Sequence, residues 1–232
     1  MAGILGVSDE RLAQQPPLRD QVRLRLEALI IDGTYDAGAH LVETDIAARL
    51  GVSRGPIREA LYHLSLHGWV DLRPRQGAFV HRPSVDEAQQ FFHVRELLEC
   101  DAAFLAAQHS DPLVIDEMRR EIKAARASLK AGAQRELVES NASFHRLVYE
   151  LADNLILKDL TSQLTKKLSW YFWPMAMERP REAWNEHEAL VNAFEAGDAH
   201  QAMEIMRAHV RATQDCYFRW NNLVDPAASV RA

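Results

Sequence analysis

Two groups of side chains in this 232-residue chain have types and spacings that could do chemistry. The first is the arginine pair Arg54 and Arg58, which follows Leu50-Gly51-Val52-Ser53. Residues four apart share a helix face, and an arginine can be bidentate to guanine, worth about 1–3 kcal/mol per good pair. The second group is three histidines. His145 lies between Val138 and Val148, His187 has Trp184 three before it and Val191 four after it, and His209 follows Ile205 and Met206. Each rides the apolar stripe of a separate helical segment. A lone histidine in that position is commonly a hydrogen-bonded core residue. Three converging imidazoles would instead make a binding centre for a transition metal.

The arginines need an element that presents them. Gly51 permits the left-handed backbone that ends one helix inside a tight turn. Val52 would pin that turn, Ser53 can cap the next helix, and Pro56 is tolerable in its first turn. Two short helices joined this way form a helix-turn-helix, whose second helix enters the major groove. Its reading residues are Ser53, Arg54 and Arg58, with Gly55 leaving room for a phosphate. A helix from Leu18 to Ile31, closed by Gly33, precedes the motif and carries Val22, Leu26, Leu29 and Ile30 on one stripe. Ile46, Ala47 and Leu50 face inward from the first helix of the motif, and Ile57, Leu61 and Leu64 from the second. After Gly68, Trp69 to Leu72 and Ala78 to Val80 read as a hairpin. Its polar tip places Arg73, Arg75 and Gly77 as a wing on backbone or minor groove. No other strand is predicted. A helix-turn-helix used only for protein contacts is the alternative.

The histidines need a different scaffold. Beyond Arg82-Pro83 the chain turns to long amphipathic helices. Ser84-Val85-Asp86-Glu87 matches a capping box for a helix reaching His109. Asp111-Pro112 starts the next, which fades near Gly132. Further helices are predicted from Gln134 to Ala152, from Leu155 to Met177, from Pro180 to Gly197, and from Asp198 to about Asn222. The fold class is therefore mainly α: a winged helix-turn-helix with a short β-hairpin wing, followed by an antiparallel bundle of about six helices. The domains are a flexible arm at 1–15, a DNA-binding head at 16–83, a helical effector-binding and dimerisation domain at 84–222, and a loose tail at 223–232.

Charge agrees with this division. The net charge is −6, yet residues 11–83 hold ten Arg/Lys against eight Asp/Glu, while residues 84–232 hold seventeen against twenty-three. A mildly basic head on an acidic body fits a DNA reader joined to a part with another task. The chain has no apolar run long enough to span a bilayer and no secretory pattern at its start. Its two cysteines, Cys100 and Cys216, fit a reducing cytoplasm better than a disulfide framework.

At this level of detail the head resembles that of the GntR family of bacterial transcription regulators. The resemblance rests on Leu50-Gly51-Val52-Ser53-Arg54, Arg58-Glu59-Ala60-Leu61 and the wing Gln76-Gly77-Ala78-Phe79-Val80. The body resembles the all-helical FCD-type ligand-binding domain of the FadR subgroup, through Val94-Arg95-Glu96-Leu97-Leu98-Glu99, Phe144-His145-Arg146 and Glu186-His187-Glu188. The resemblance implies DNA contacts at Thr44, Ser53, Arg54, Arg58 and Arg75 to Gly77, with Thr44 standing where relatives often carry arginine. It also implies a divalent metal held by Asn141, His145, His187 and His209. Zinc is the first expectation, with nickel or manganese as alternatives. Asn141 stands where aspartate is usual, which leaves the site one negative charge short. Arg95 matches the family arginine that faces a small organic acid, although a salt bridge to Glu99 one turn onward is an equal reading. Trp184 could line the same pocket or belong to the core.

The function expected is a dimeric regulator, not an enzyme. It would bind duplex DNA at a palindromic operator under control of a small carboxylate effector, in the cytoplasm and without a membrane partner. A metal-responsive regulator, in which the ion is the signal, is the alternative. A metal-dependent hydrolase is a more distant one, because the chain carries no zincin motif, nucleophile elbow or glycine-rich phosphate loop.

Overall fold

The computed structural model describes residues 17–221 with the exception of Ser110. The arm expected at 1–15 and the tail at 223–232 lie outside the described residues. The chain divides into two compact units, Met1–Ala28 with Gly38–His81, and Leu29–Ala37 with Arg82–Ala232.

Helix α1 spans Leu18–Ile31 and buries Val22, Leu26, Leu29 and Ile30. In the first unit it is followed by strand β1 (His40–Leu41), helices α2 (Glu43–Leu50) and α3 (Arg54–Leu66), and strands β2 (Val70–Arg73) and β3 (Gly77–Val80). Gly51 ends α2 at φ 67°, and its N–H caps the carbonyls of Ala47 and Ala48. That left-handed residue turns the chain between α2 and α3, and a side chain there would be strained. Ile46 and Ala47 of α2 are buried, as are Ile57, Ala60, Leu61 and Leu64 of α3.

The sheet has strand order β1-β3-β2 and is antiparallel throughout. β1 corrects the sequence reading, which contained only the hairpin. Its two residues pair with Phe79 and Ala78, and a strand that short has no alternation to detect; it exists because β3 offers a free edge.

The second unit holds α4 (Val85–His109), α5 (Pro112–Ala131), α6 (Gln134–Leu151), α7 (Leu155–Phe172), α8 (Pro180–Ala196) and α9 (Ala199–Trp220). Capping starts several of these helices. Ser84 and Glu87 exchange two hydrogen bonds at the start of α4, at 2.9 and 3.1 Å. Asp111, Asn154 and Asp198 accept from Leu113, Leu157 and Gln201 backbone N–H groups, each satisfying an otherwise orphaned donor. Helix α7 stops earlier than Met177, giving way to a 3-10 turn over Trp173–Met175. Pro174 lacks the N–H that would bond to Trp170 and its ring crowds that carbonyl, so the α-helix cannot continue.

Helix α4 is the centre of the bundle, packing on α6, α7, α8 and most extensively on α9. Ala102, Ala103, Ala106 and Ala107 are all buried along it; their small side chains let the partner helices approach closely. Among the apolar residues of α4, Arg95 and Glu99 are also buried. Histidines 145, 187 and 209 lie on α6, α8 and α9, so three separate helices converge on them.

Candidate nucleic-acid interface and histidine centre

Helix α3 begins at Arg54, and its first turn is the exposed end of the motif. Thr44, Ser53, Arg54, Gly55, Arg58, Arg73, Arg75 and Gly77 are all exposed. Ser53 occupies the N-cap position with extended backbone, but its hydroxyl makes no capping bond, contrary to the expected role. Its side chain is left for another partner. Space next to Gly55 is open for 4 Å around an added Cβ. Thr44 donates its hydroxyl proton to Asp45 at 3.2 Å.

Neither Arg54 nor Arg58 is loose. Arg54 Nη2 lies 3.0 Å from Glu43 Oε2, while Arg58 reaches both oxygens of the same carboxylate, Nη2 at 3.1 Å and Nε at 3.3 Å. The hydrogen bond from Arg58, followed by that from Arg54, holds the Glu43 carboxyl below its usual range against a small cost of burial. Glu43 was not identified from the sequence, because it lies eleven and fifteen residues from its partners and meets them only through the turn.

The wing has its own constraints. The Arg73 guanidinium lies 4.2 Å over the Phe79 ring, and Arg75 at the tip has φ 62°. Gly77 has φ 101°, and a Cβ there would approach His40 Nε2 to 2.8 Å. His40 stacks on Phe79 with ring centroids 4.6 Å apart. Thr44, Arg54 and Gly77 share one cleft of about 200 Å3 with Glu43. Arg58, Arg73 and Arg75 lie outside its lining.

In the second unit His145, His187 and His209 are all buried, at 0%, 0% and 2% exposure. One ring nitrogen from each lies within 4.8 Å of the others. Phe144 stacks on His187 at 4.2 Å and Trp184 meets it edge-on at 4.6 Å, which fixes that ring. Trp184, itself 1% exposed, therefore touches the centre. Glu186 Oε2 lies 2.8 Å from His209 Nδ1 and also pairs with Arg179. A carboxylate at Nδ1 places the proton there and leaves Nε2 with its lone pair.

A second buried network stands beside these rings. Glu99 Oε1 accepts from Arg95 Nε at 2.7 Å and from the Tyr149 hydroxyl at 3.2 Å. Its other oxygen lies 3.3 Å from His145 Nδ1, without hydrogen-bond alignment. Burial alone would raise the Glu99 carboxyl, but the Arg95 charge and His145 outweigh it and hold it far below the usual carboxylate range. Burial, then the neighbouring imidazoles, pushes His187 well down, and burial followed by His145 does the same to His209. These two rings are neutral, the form that binds metal.

The residues fit a divalent transition ion. Both ring nitrogens of His145 and His187 are buried without a hydrogen-bond partner, as are Arg95 Nη1 and Glu99 Oε2. Buried polar atoms are rarely left so, and two such rings beside the His209 imidazole are a donor set that an imidazole-binding metal takes. At Zn–N distances near 2.0–2.1 Å, ligand nitrogens of a tetrahedral ion sit about 3.3 Å apart, so the rings would close by roughly 1 Å or more at the widest. Asn141, buried one turn before His145 on α6, brings an amide instead of a carboxylate to that face.

A winged helix-turn-helix joined to an all-helical body with a buried polar centre defines a DNA-binding transcription regulator. Comparison with known proteins gives the family. The profile described as bacterial regulatory proteins, gntR family, matches residues 18–80, and the FCD domain matches residues 90–212. The chain belongs to the GntR family of transcription regulators, in the FCD-bearing branch. It is 29% identical over 208 residues to a probable D-xylose utilization operon transcriptional repressor of Paenarthrobacter nicotinovorans, covering 89% of this chain and 92% of that protein. The HTH-type transcriptional repressor RspR of Escherichia coli is 22% identical over 205 residues, 88% and 90% of the two chains. Among solved structures, E. coli McbR/YncC superposes with a TM-score of 0.78 at 21% identity, over 90% of this chain and 100% of that one. A putative GntR regulator from Rhodococcus follows at 0.75 and 21%, over 87% and 97%. No helix among the described residues is long and apolar enough to cross a membrane.

Proposed function

We propose that this regulator is a cytoplasmic homodimer that binds a palindromic operator, and that a small organic carboxylate bound in the helical domain, next to a divalent metal, controls its operator affinity. The observation that carries the reading is the set of orphaned buried atoms at one place, the ring nitrogens of His145 and His187 and Nη1 of Arg95. Asn141, His145, His187 and His209 would hold the ion, with zinc first and nickel or manganese as alternatives. When bound, the ion supplies a fixed positive charge for an acid to meet. Arg95 supplies a second, because its pairing with Glu99 through Nε leaves Nη1 free for a carboxylate oxygen. Trp184 holds the His187 ring in place and closes the centre to water.

On the DNA side, Arg54 and Arg58 read base edges, Ser53, Thr44 and the open backbone at Gly55 meet phosphate, and Arg73, Arg75 and Gly77 form the wing contact. Two heads on two half-sites account for the palindrome. Leu155, Ile156 and Leu160 on α7 are exposed apolar residues, which favours a face covered by a second copy. Native mass spectrometry with elemental analysis of protein purified without chelator tests the reading. A dimer with one metal per chain is expected, and His187→Ala should empty it. A metal-free dimer whose His187→Ala variant behaves identically would remove the ion from the account.

A further inference from the structure

A cavity of about 160 Å3 lies apart from the histidine centre, and all its lining residues belong to the second unit. Its walls are aromatic: Tyr35, Trp170, Tyr171, Trp173, Tyr217 and Trp220. The chain has five tryptophans and five tyrosines, so this one cavity takes more than half of each.

The walls are held in place. Tyr171 stacks face to face on Phe91 at 4.4 Å and lies 5.1 Å from Tyr217. The Trp173 carbonyl accepts from Gln134 at 2.6 Å, and Arg135, itself paired with Asp32 at 2.7 Å, reaches 6.0 Å from the Trp173 ring. Gly33 has φ 70°, and a Cβ there would come 2.8 Å from Trp173 Nε1, so the loop passes the ring as closely as a backbone can.

Two polar groups inside this lining are left over. Tyr171 and Tyr217 are 7% and 6% exposed, and neither hydroxyl has a hydrogen-bond partner among the described residues. Burial raises the Tyr171 phenol and pushes Tyr217 up to about 12, so both stay protonated and are donors. Neither hydroxyl is fully enclosed, so each is a donor on a mostly buried ring that remains open to an acceptor. Arg82, also in the lining, spends Nη2 on the Ala37 carbonyl at 2.7 Å and keeps the rest of its fork for a further acceptor. Asp36, the one acidic residue of the lining, is exposed, so the donors outnumber it.

We propose that this cavity is a second ligand site, built for a single aromatic ring bearing a carboxylate. Size supports the ring, since an apolar cavity of about 150 Å3 holds one benzene. Tryptophan and tyrosine faces favour an aromatic partner beyond its area alone. Two phenolic donors and a guanidinium select the carboxylate.

Tryptophan fluorescence of the full chain, titrated with benzoate and in parallel with acetate, tests the site. Saturable quenching by benzoate and none by acetate is expected, because Trp170, Trp173 and Trp220 line the cavity. Tyr217→Phe and Tyr171→Phe each remove one oxygen and keep the ring; each should weaken benzoate by about tenfold with the circular dichroism spectrum unchanged. Quenching that rises linearly without saturation overturns the proposal. So does unchanged benzoate affinity in both tyrosine variants.

Discussion

Glu43→Gln should lower the discrimination of the DNA head while raising its affinity for unrelated sequence. In the structure one carboxylate at the start of α2 holds both recognition arginines, at 3.0 Å from Arg54 and 3.1 Å from Arg58. The arginine side chains are otherwise open to solvent, at 58% and 68% exposure. Each exposed pair contributes little to stability, about 0.2–1 kcal/mol, so the fold should tolerate the change. DNA binding should not. Removing the negative charge adds one net positive charge to the contact surface, which favours any duplex. The same change frees two long side chains that operator binding must then immobilise, at about 0.5–1.5 kcal/mol each. Together these amount to about 1–3 kcal/mol against the operator relative to random DNA, or roughly tenfold in the ratio of the two affinities. Fluorescence anisotropy over a salt series reads both, using a duplex selected by the protein from random sequence and a scrambled control. Equal shifts for the two duplexes would refute the reasoning, because they would leave Glu43 with charge alone and no role in placing the arginines.

Other outcomes follow from the buried network. In metal-stripped protein, burial and the neighbouring imidazoles hold His187 and His209 well below the ordinary histidine range in the folded state. The unfolded chain then binds more protons below about pH 6.5, so stability is full above that pH and falls as the pH drops, by about 2.7 kcal/mol per pH unit for two such groups. Urea melts between pH 7 and 5 check this, and a flat profile would show that the rings are not buried neutral. Arg95→Ala should destabilise by about 3–5 kcal/mol, because it strands the Glu99 carboxylate in the core. The double change Arg95→Ala/Glu99→Ala should recover much of that loss; equal destabilisation of the two variants would contradict the pairing.

Much of this was legible in the sequence, and for identifiable reasons. Local devices read directly: the Ser84–Glu87 capping box, the Asp111-Pro112 helix start, Gly51 in the turn, and the salt bridge from Arg95 to Glu99 one turn along α4. The apolar stripes through His145, His187 and His209 also sufficed to turn three rings inward on three helices. Features that depend on long-range approach were hidden. Glu43 meets its arginines across the turn, and Glu186 reaches His209 from the preceding helix, twenty-three residues away. The contact between Glu99 and His145 joins α4 to α6. β1 has only the register it borrows from β3. Pro174 was readable as a breaker within the predicted fourth helix, but the apolar residues around it masked the signal. The aromatic cavity draws Tyr35, Trp173 and Trp220 from distant parts of the chain, and no spacing announces it.

The central claim is that operator binding depends on what occupies the histidine centre. Operator affinity measured on protein stripped with chelator, then reloaded with zinc, tests it most directly, with His187→Ala carried through the same cycle. The account predicts a reversible change of at least about fivefold, the lower end of ordinary coupling between two sites, and no change in the variant. Identical affinities for stripped and reloaded protein, with zinc shown to be bound, would contradict it.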